Sequence, residues 1–147
     1  MTARRAGLPP GWLKVVNPIM RAAGWLGAPI PVLTLRGRRS GQLRHTPVSP
    51  MDLDGARYLV AGYPTAQWVH NARAAGTGTL AVGRRSEHVR LVELSTEDAR
   101  PVLREFPVRV PSAVSVMVRA GVVPDGTPDS YEALAGRCAV FRVEVAR

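Results

Sequence analysis

Short segments of alternating apolar and polar residues, separated by glycine-containing turns, dominate the sequence from residue 31 onward. Six of these segments predict strands, and Asp54-Gly55 between two of them is a dipeptide typical of a tight hairpin. The predicted strands are Val32–Arg36, Leu43–Met51, Arg57–Gly62, Thr79–Gly83, Glu87–Leu94 and Cys138–Val145. Strict strand–helix alternation is missing, which argues against a doubly wound parallel sheet. The pattern predicts a mainly β fold, a small antiparallel barrel with packed helices.

Helical patterns fill the intervals between the strands. Residues 66–75 predict a helix that ends at Gly76, and Ser95 begins a capping box followed by a second helical face. Residues 112–120 keep their polar members at helical spacing. In residues 12–26 the apolar residues recur at helical spacing, with a break at Asn17-Pro18. This pattern predicts a kinked helix or two short ones. We expect residues 1–11 to be a flexible lead-in to a single domain of residues 12–147.

The charge balance narrows the class of partner. Twenty Lys plus Arg against eleven Asp plus Glu give a net charge of +9 at pH 7, and Lys14 is the only lysine. The planar guanidinium suits phosphate and carboxylate groups. The expected partners are therefore anionic: a nucleic acid, an anionic membrane surface or an acidic small molecule.

Several other classes of protein are excluded by composition. The 46% hydrophobic content is too high for a disordered tail. The lone Cys138 provides neither a disulfide framework nor a cysteine cluster for a metal. No apolar run reaches the ~18–20 residues of a membrane span, and the N-terminal segment is a poor secretory signal. We expect a soluble, cytoplasmic protein.

The densest basic feature is the turn from Arg36 to Arg44. Glycines on both sides of a turn let backbone N–H groups point at one spot and form an anion site. Arg38, Arg39 and Arg44 add charged donors, and Ser40 adds a hydroxyl. The Gly-Lys-Ser/Thr ending of a nucleotide-binding P-loop is absent. The spacing alone is equally compatible with a solvated hairpin tip that happens to be basic.

Side-chain catalysis is not indicated. The three histidines, His45, His70 and His88, show no metal spacing, and no carboxylate is placed to complete a triad with them. An enzyme of this kind would leave the difficult chemistry to a bound cofactor. Asn71 lies on an otherwise apolar helix face and needs hydrogen-bond partners if it is buried. This predicts a tie between the helix and a neighbouring backbone in preference to a direct ligand contact.

The stretch Val32–Val48, centred on Gly37-Arg38-Arg39-Ser40-Gly41, resembles the signature of the deazaflavin-dependent nitroreductase and quinone reductase family. Three later segments agree with that family in order and spacing, the second through its Trp-x-x-Asn pattern: Tyr58–Gly62, Trp68–Ala74 and Leu80–Val82. The resemblance covers residues 12–94 and continues weakly to the last strand. It implies a split β-barrel that binds coenzyme F-420, an 8-hydroxy-5-deazaflavin.

Carried over residue by residue, the resemblance implies a cofactor site in three parts. The first part would hold the phosphate and the start of the acidic tail; it consists of Arg38, Arg39, Ser40 and Arg44, with Gly41 and Gln42 in the same turn. The second part would contact the deazaflavin ring; it consists of Thr46, Pro47 and Val48 along one side and Ala61, Gly62 and Tyr63 along the other. The third part matches family positions near the cofactor; it consists of Trp68 and Asn71. No metal ligand and no catalytic side chain are implied.

The implied activity is hydride transfer from reduced coenzyme F-420 to an electron-poor apolar acceptor such as a quinone or a nitroaromatic. Family members that reduce nitroimidazoles carry a tyrosine-rich segment near the substrate, whereas residues 110–118 contain no tyrosine. The apolar stretch 113–118 and the N-terminal segment would line an acceptor pocket.

Three alternatives stay open at this stage. The first is an FMN-binding oxidoreductase on the same barrel, and the second is a carrier that binds a hydrophobic ligand without turnover. The third is a nucleic-acid binder, which is disfavoured because an aromatic content of 5% offers few stacking surfaces. Peripheral membrane contact through the N-terminal segment and dimer formation also stay open.

Overall fold

Seven antiparallel strands form one sheet in the computed structural model, which describes residues 30–146. The helices predicted within residues 12–26 and the lead-in of residues 1–11 lie outside the described residues. The strands are β1 (Val32–Arg36), β2 (Leu43–Pro47), β3 (Met51–Leu53), β4 (Ala56–Val60), β5 (Thr77–Val82), β6 (Arg85–Glu93) and β7 (Val140–Val145). The helices in the described part are α1 (Gln67–Ala75), α2 (Thr96–Arg109), α3 (Pro111–Arg119) and α4 (Pro128–Glu132).

The strand order requires the sheet to curl. The order β2-β1-β5-β6-β7-β4-β3 puts β2 and β3 on opposite edges, although only residues 48–50 separate them in the chain. A flat sheet of seven strands would hold its edges about 29 Å apart at ~4.8 Å per strand. The segment from Pro47 to Met51 can span at most ~14 Å. The edges must therefore approach each other, and the predicted fold class, a split barrel with packed helices, is confirmed.

The sequence pattern missed one strand boundary. The predicted strand Leu43–Met51 is two strands, β2 and β3, so the sheet has seven strands where six were expected. Pro47 and Pro50 flank the break, and proline has no N–H to donate to a ladder. The N–H of Val48 donates to the carbonyl of Pro31 at 3.0 Å, which ends the pairing of β2 with β1. The chain then crosses to the other edge.

Capping residues fix the helix ends. The Ser95 hydroxyl accepts from the N–H of Asp98 at 3.1 Å and starts α2, as its capping-box pattern predicts. Gly76 ends α1 in the left-handed region at φ 74°. Helix α4 was not predicted from the sequence; the Thr127 side chain caps it by accepting from the N–H of Ser130 at 3.2 Å. None of the described helices is long and apolar enough to cross a bilayer.

The strand register defines two ends of the barrel. Arg36 pairs with Leu43, Val60 pairs with Val140, and Phe141 pairs with Glu93. These pairs gather the β1–β2 turn, the loop from β4 to α1 and the start of β7 at one end, which we call the helix end. The β3–β4 and β5–β6 turns lie at the opposite end. The core between the ends includes Leu33, Leu35, Leu80, Trp68 and Phe141.

Candidate functional site

The β1–β2 turn, residues 36–44, is held by its own hydrogen bonds, and we call it the arginine turn. The N–H of Gly37 donates to the Gln42 carbonyl at 2.7 Å, and the N–H of Gly41 donates to the Gly37 carbonyl at 3.0 Å. Arg36 Nη1 donates to the Gly41 carbonyl at 2.8 Å. A Cβ at Gly37 would stand 3.0 Å from the Gln42 carbonyl oxygen, and Gly41 has φ 76°. The local sequence therefore specifies one compact turn.

Helix α1 anchors this turn through Arg38. The side-chain oxygen of Asn71 accepts from the backbone N–H of Arg38 at 3.1 Å and from its Nη1 at 2.9 Å. Arg38 Nη2 donates to Gln67 Oε1 at 2.9 Å. Asn71 is only 6% exposed, and the tie between α1 and a neighbouring backbone that the sequence predicted is confirmed. Gln67 was missed because nothing local to the sequence links it to a turn 29 residues away.

A cleft of about 500 Å³ lies between the arginine turn, β2 and α1. Its volume falls within the ~300–1,000 Å³ of typical ligand sites. Seven predicted site residues line it, namely Arg38, Arg39, Ser40, Arg44, Thr46, Trp68 and Asn71. Four further lining residues were not predicted, namely Gly37, Leu43, His45 and Gln67. The cleft thus brings together the turn and the Trp-x-x-Asn helix, two segments that are distant in sequence.

The other predicted site residues do not line this cleft. Gly41 and Gln42 shape the turn, and Pro47 and Val48 continue from β2 toward the opposite end of the barrel. Ala61 is 1% exposed and donates its N–H to the Ala139 carbonyl at 2.9 Å. Gly62 and Tyr63 are exposed in the loop after β4, at the helix end. Contact between these residues and a cofactor stays a prediction.

The distribution of ion pairs leaves the arginine turn positively charged. Seven arginines elsewhere have a carboxylate oxygen within 3.2 Å, namely Arg57, Arg73, Arg90, Arg100, Arg104, Arg109 and Arg142. Within residues 30–146, no carboxylate lies within 4.0 Å of a guanidinium nitrogen of Arg36, Arg38, Arg39 or Arg44. The turn therefore presents uncompensated charge that can attract an anion.

Strand β2 offers backbone groups beside the same cleft, because β1 is its only partner strand in the described sheet. The bonds from Gly37 to Gln42 and from Val48 to Pro31 set the alternation of the ladder. In that alternation, the backbone groups of Arg44 and Thr46 face β1, whereas those of Leu43 face outward. A planar ligand with polar edges can meet these outward N–H and carbonyl groups.

His45 is the histidine of the cleft lining. Its Nδ1 lies 2.8 Å from the Thr34 hydroxyl, and Thr34 is 8% exposed. Burial lowers the pKa of His45 from its ordinary value near 6.5, so the ring is neutral at pH 7. The arginines therefore supply the charge of the cleft, and His45 contributes a neutral polar group.

Other reactive groups in the described part are inert or scattered. Cys138 is 2% exposed, and burial raises the pKa of its thiol, which keeps the thiol protonated at pH 7. In residues 30–146, no three His, Cys, Asp or Glu side chains converge on a possible metal position. The cleft can bind and orient an anionic ligand, and Cys138 is not among its described lining residues.

Solved structures share the fold at low sequence identity. An F-420-H2 dependent reductase, FDR-A, is 24% identical over 79% of this chain and 94% of its own, with a TM-score of 0.54. A protein described as a domain-swapped dimer is 22% identical over 93% and 100%, with a TM-score of 0.54. A NimC/NimA family protein from Clostridium acetobutylicum is 16% identical over 83% and 78%, with a TM-score of 0.52. Among curated protein sequences, none matches the chain.

The family model for F-420H(2)-dependent quinone reductase matches residues 16–120, which is more than two-thirds of the chain. The matched range contains the whole arginine turn, β2, the loop after β4 and α1. Every described residue that lines the cleft falls inside it. The chain therefore belongs to the F-420H(2)-dependent quinone reductase family, so it is an oxidoreductase and its cofactor is coenzyme F-420.

Proposed function

We propose that the cleft between the arginine turn and α1 binds coenzyme F-420 and that the chain uses it to reduce a quinone. The observation that carries this proposal is the set of arginines in the turn that no described carboxylate neutralises. Three of them, Arg38, Arg39 and Arg44, line the cleft. This arrangement is better explained as a binding site for a polyanionic small molecule than as a solvated hairpin tip, because buried Asn71 fixes the position of Arg38.

The chemistry of the cleft suits the anionic part of the cofactor. A phosphate followed by carboxylates needs several charged donors within a short distance, and guanidinium groups form charge-assisted bonds that are roughly twice as strong as neutral ones. Arg38, Arg39 and Arg44 provide such donors, and Ser40, which follows Arg39 in sequence and also lines the cleft, adds a hydroxyl. In our proposal these four residues hold the phosphate and the start of the acidic tail.

The remaining cleft wall suits a planar ring. Trp68 is 8% exposed, and its ring packs on Phe141 with a centroid distance of 5.5 Å, so this wall is rigid. The outward N–H and carbonyl groups of Leu43 lie on β2 and can bond to polar ring atoms. Coenzyme F-420, bound in its reduced form, supplies a hydride. The residues of the chain bind the ring, orient it and exclude water from one face.

The acceptor would meet apolar side chains at the mouth of the cleft. Leu43 lines the cleft and is 49% exposed, and Tyr63 at the same end of the barrel is 51% exposed. Reduction of a quinone to a quinol consumes one hydride and one proton. Among the described residues that line the cleft, His45 is neutral, and no carboxyl, thiol, phenol or lysine side chain is present. In our proposal the proton therefore comes from water, which reaches the open cleft.

The test is a cofactor and acceptor screen with purified protein. We expect saturable binding of coenzyme F-420 in a fluorescence titration and oxidation of its reduced form when a naphthoquinone is added. A nitroimidazole is expected to react more slowly, because residues 110–118 contain no tyrosine. FMN copurifying with the protein, or no oxidation with any quinone, would contradict the proposal.

A further inference from the structure

Within residues 30–146, the side chain of Arg38 donates its hydrogen bonds to amide oxygens only. The side-chain oxygen of Asn71 accepts from the backbone N–H and from Nη1 of Arg38, and Gln67 Oε1 accepts from Nη2 of Arg38. Gln67 and Asn71 are four residues apart on α1, so their side chains project from the same face of the helix. The guanidinium has five N–H donors, and these bonds use two of them. Three donors stay available for a ligand in the cleft.

The kind of acceptor determines whether Arg38 keeps a net charge that a ligand can bind. A carboxylate in these positions would fix the guanidinium and also cancel its charge. Arg73 on the same helix shows that case, because Glu93 takes both its Nε and its Nη2 at 2.8 Å. Amide oxygens fix the group through hydrogen bonds and leave its net charge in place. Helix α1 thus takes part in two kinds of arginine contact. In one, a carboxylate neutralises the guanidinium, and in the other, amide oxygens bind the guanidinium and its charge remains.

We propose that Gln67, together with Asn71, forms an amide clamp that holds Arg38 as an oriented, uncompensated cation for an anionic group of the cofactor. Gln67 is a positioning residue in this account, since it acts through Arg38. The inference rests on the proposed function for the identity of the ligand. Holding a long side chain in place before binding removes an entropic cost that the ligand would otherwise have to offset.

Two substitutions of Gln67 separate orientation from charge. Gln67→Glu keeps the size and the acceptor but adds a negative charge beside Arg38. Gln67→Leu removes the acceptor without adding charge. Gln67 is exposed, so neither change disturbs the core. A charge-matched control is Ser86→Glu, which adds the same charge at an exposed β6 position at the opposite end of the barrel.

The measurements are dissociation constants for coenzyme F-420 and for inorganic pyrophosphate, at low salt and at high salt. We expect Gln67→Glu to weaken both ligands by about tenfold or more at low salt, with a smaller effect at high salt. We expect about two- to tenfold weakening for Gln67→Leu, from the cost of ordering one long side chain. Ser86→Glu is expected to stay within about twofold of the wild type.

A readout without cofactor tests the clamp itself. In nitrogen NMR of the free protein, the Arg38 guanidinium should show restricted rotation in the wild type and averaged Nη signals in Gln67→Leu. Free rotation in the wild type would overturn the clamp. Equal weakening of ligand binding by Glu and Leu would overturn the role of charge. If pyrophosphate and NMR behave as expected and coenzyme F-420 does not bind, the proposed function fails and the clamp stands.

Discussion

Replacement of Asn71 by leucine removes two of the three hydrogen bonds by which Arg38 joins the arginine turn to α1. Its side-chain oxygen accepts two hydrogen bonds from Arg38, at 3.1 Å from the backbone nitrogen and 2.9 Å from Nη1. Leucine has a similar volume, so the change removes the polar contacts and leaves little cavity. The N–H of Arg38, a half-buried residue, then loses its acceptor.

The size of the effect follows from those two bonds. A neutral hydrogen bond contributes about 1 kcal/mol, and one to a charged group contributes about 1.5–3 kcal/mol. Arg38 is half-buried, so water replaces part of what is lost. We expect Asn71→Leu to lower the free energy of unfolding by about 1–3 kcal/mol. This corresponds to a fall of roughly 3–10 °C in Tm for a domain of this size.

Thermal unfolding followed by circular dichroism gives the stability, and a titration with coenzyme F-420 gives the affinity. Asn71→Asp is the matched variant, because it keeps the acceptor and adds a charge. We expect it to retain most of the stability while it weakens cofactor binding. A Tm for Asn71→Leu equal to that of the wild type would refute the anchoring argument. Wild-type affinity in Asn71→Asp would refute the electrostatic one.

Two further predictions concern the barrel. Gly78→Ala should lower the free energy of unfolding by about 1–3 kcal/mol, because the new Cβ would lie 2.6 Å from the Thr34 carbonyl oxygen. Gly62→Ala is the control, since a Cβ there would have no atom within 4 Å. Equal melting temperatures for the two variants would contradict this prediction. For His45, burial lowers the folded-state pKa, so its contribution to stability is complete above the unfolded pKa and is lost as the pH falls toward the folded value. Between pH 7.5 and pH 5, the free energy of unfolding should therefore fall less in His45→Gln than in the wild type. Parallel pH profiles for the two proteins would show that His45 is not responsible for the loss of stability.

Local patterns predicted much of the fold. The bounds of β1 agree with the structure, and the Asp54-Gly55 turn, the Ser95 cap and α3 lie where the sequence placed them. The division of the predicted strand 43–51 was not visible, because its residues suit a strand on either side of the break. The position of the break depends on which edge of the sheet each half of the segment joins, and that is a property of the closed barrel.

The site was predictable to a smaller extent for the same reason. The glycines and arginines of the turn are adjacent in sequence, so their convergence follows from the motif alone. The contacts of Arg38 with Gln67 and Asn71 span 29 and 33 residues and arise only when α1 packs beside β1. The absence of nearby carboxylates in the described structure is also a three-dimensional property, since it depends on which acidic residues pair elsewhere.

In our proposal the arginine turn binds the anionic part of coenzyme F-420. A charge-matched pair of double variants tests it: Arg38→Gln with Arg44→Gln at the cleft, and Arg84→Gln with Arg85→Gln at the opposite end of the barrel. The measurement is the dissociation constant of coenzyme F-420 for each variant at low salt. We expect a loss of about a hundredfold for the cleft pair, from two charge-assisted contacts, and near wild-type affinity for the distant pair. Equal losses in both pairs, or none in the cleft pair, would contradict it.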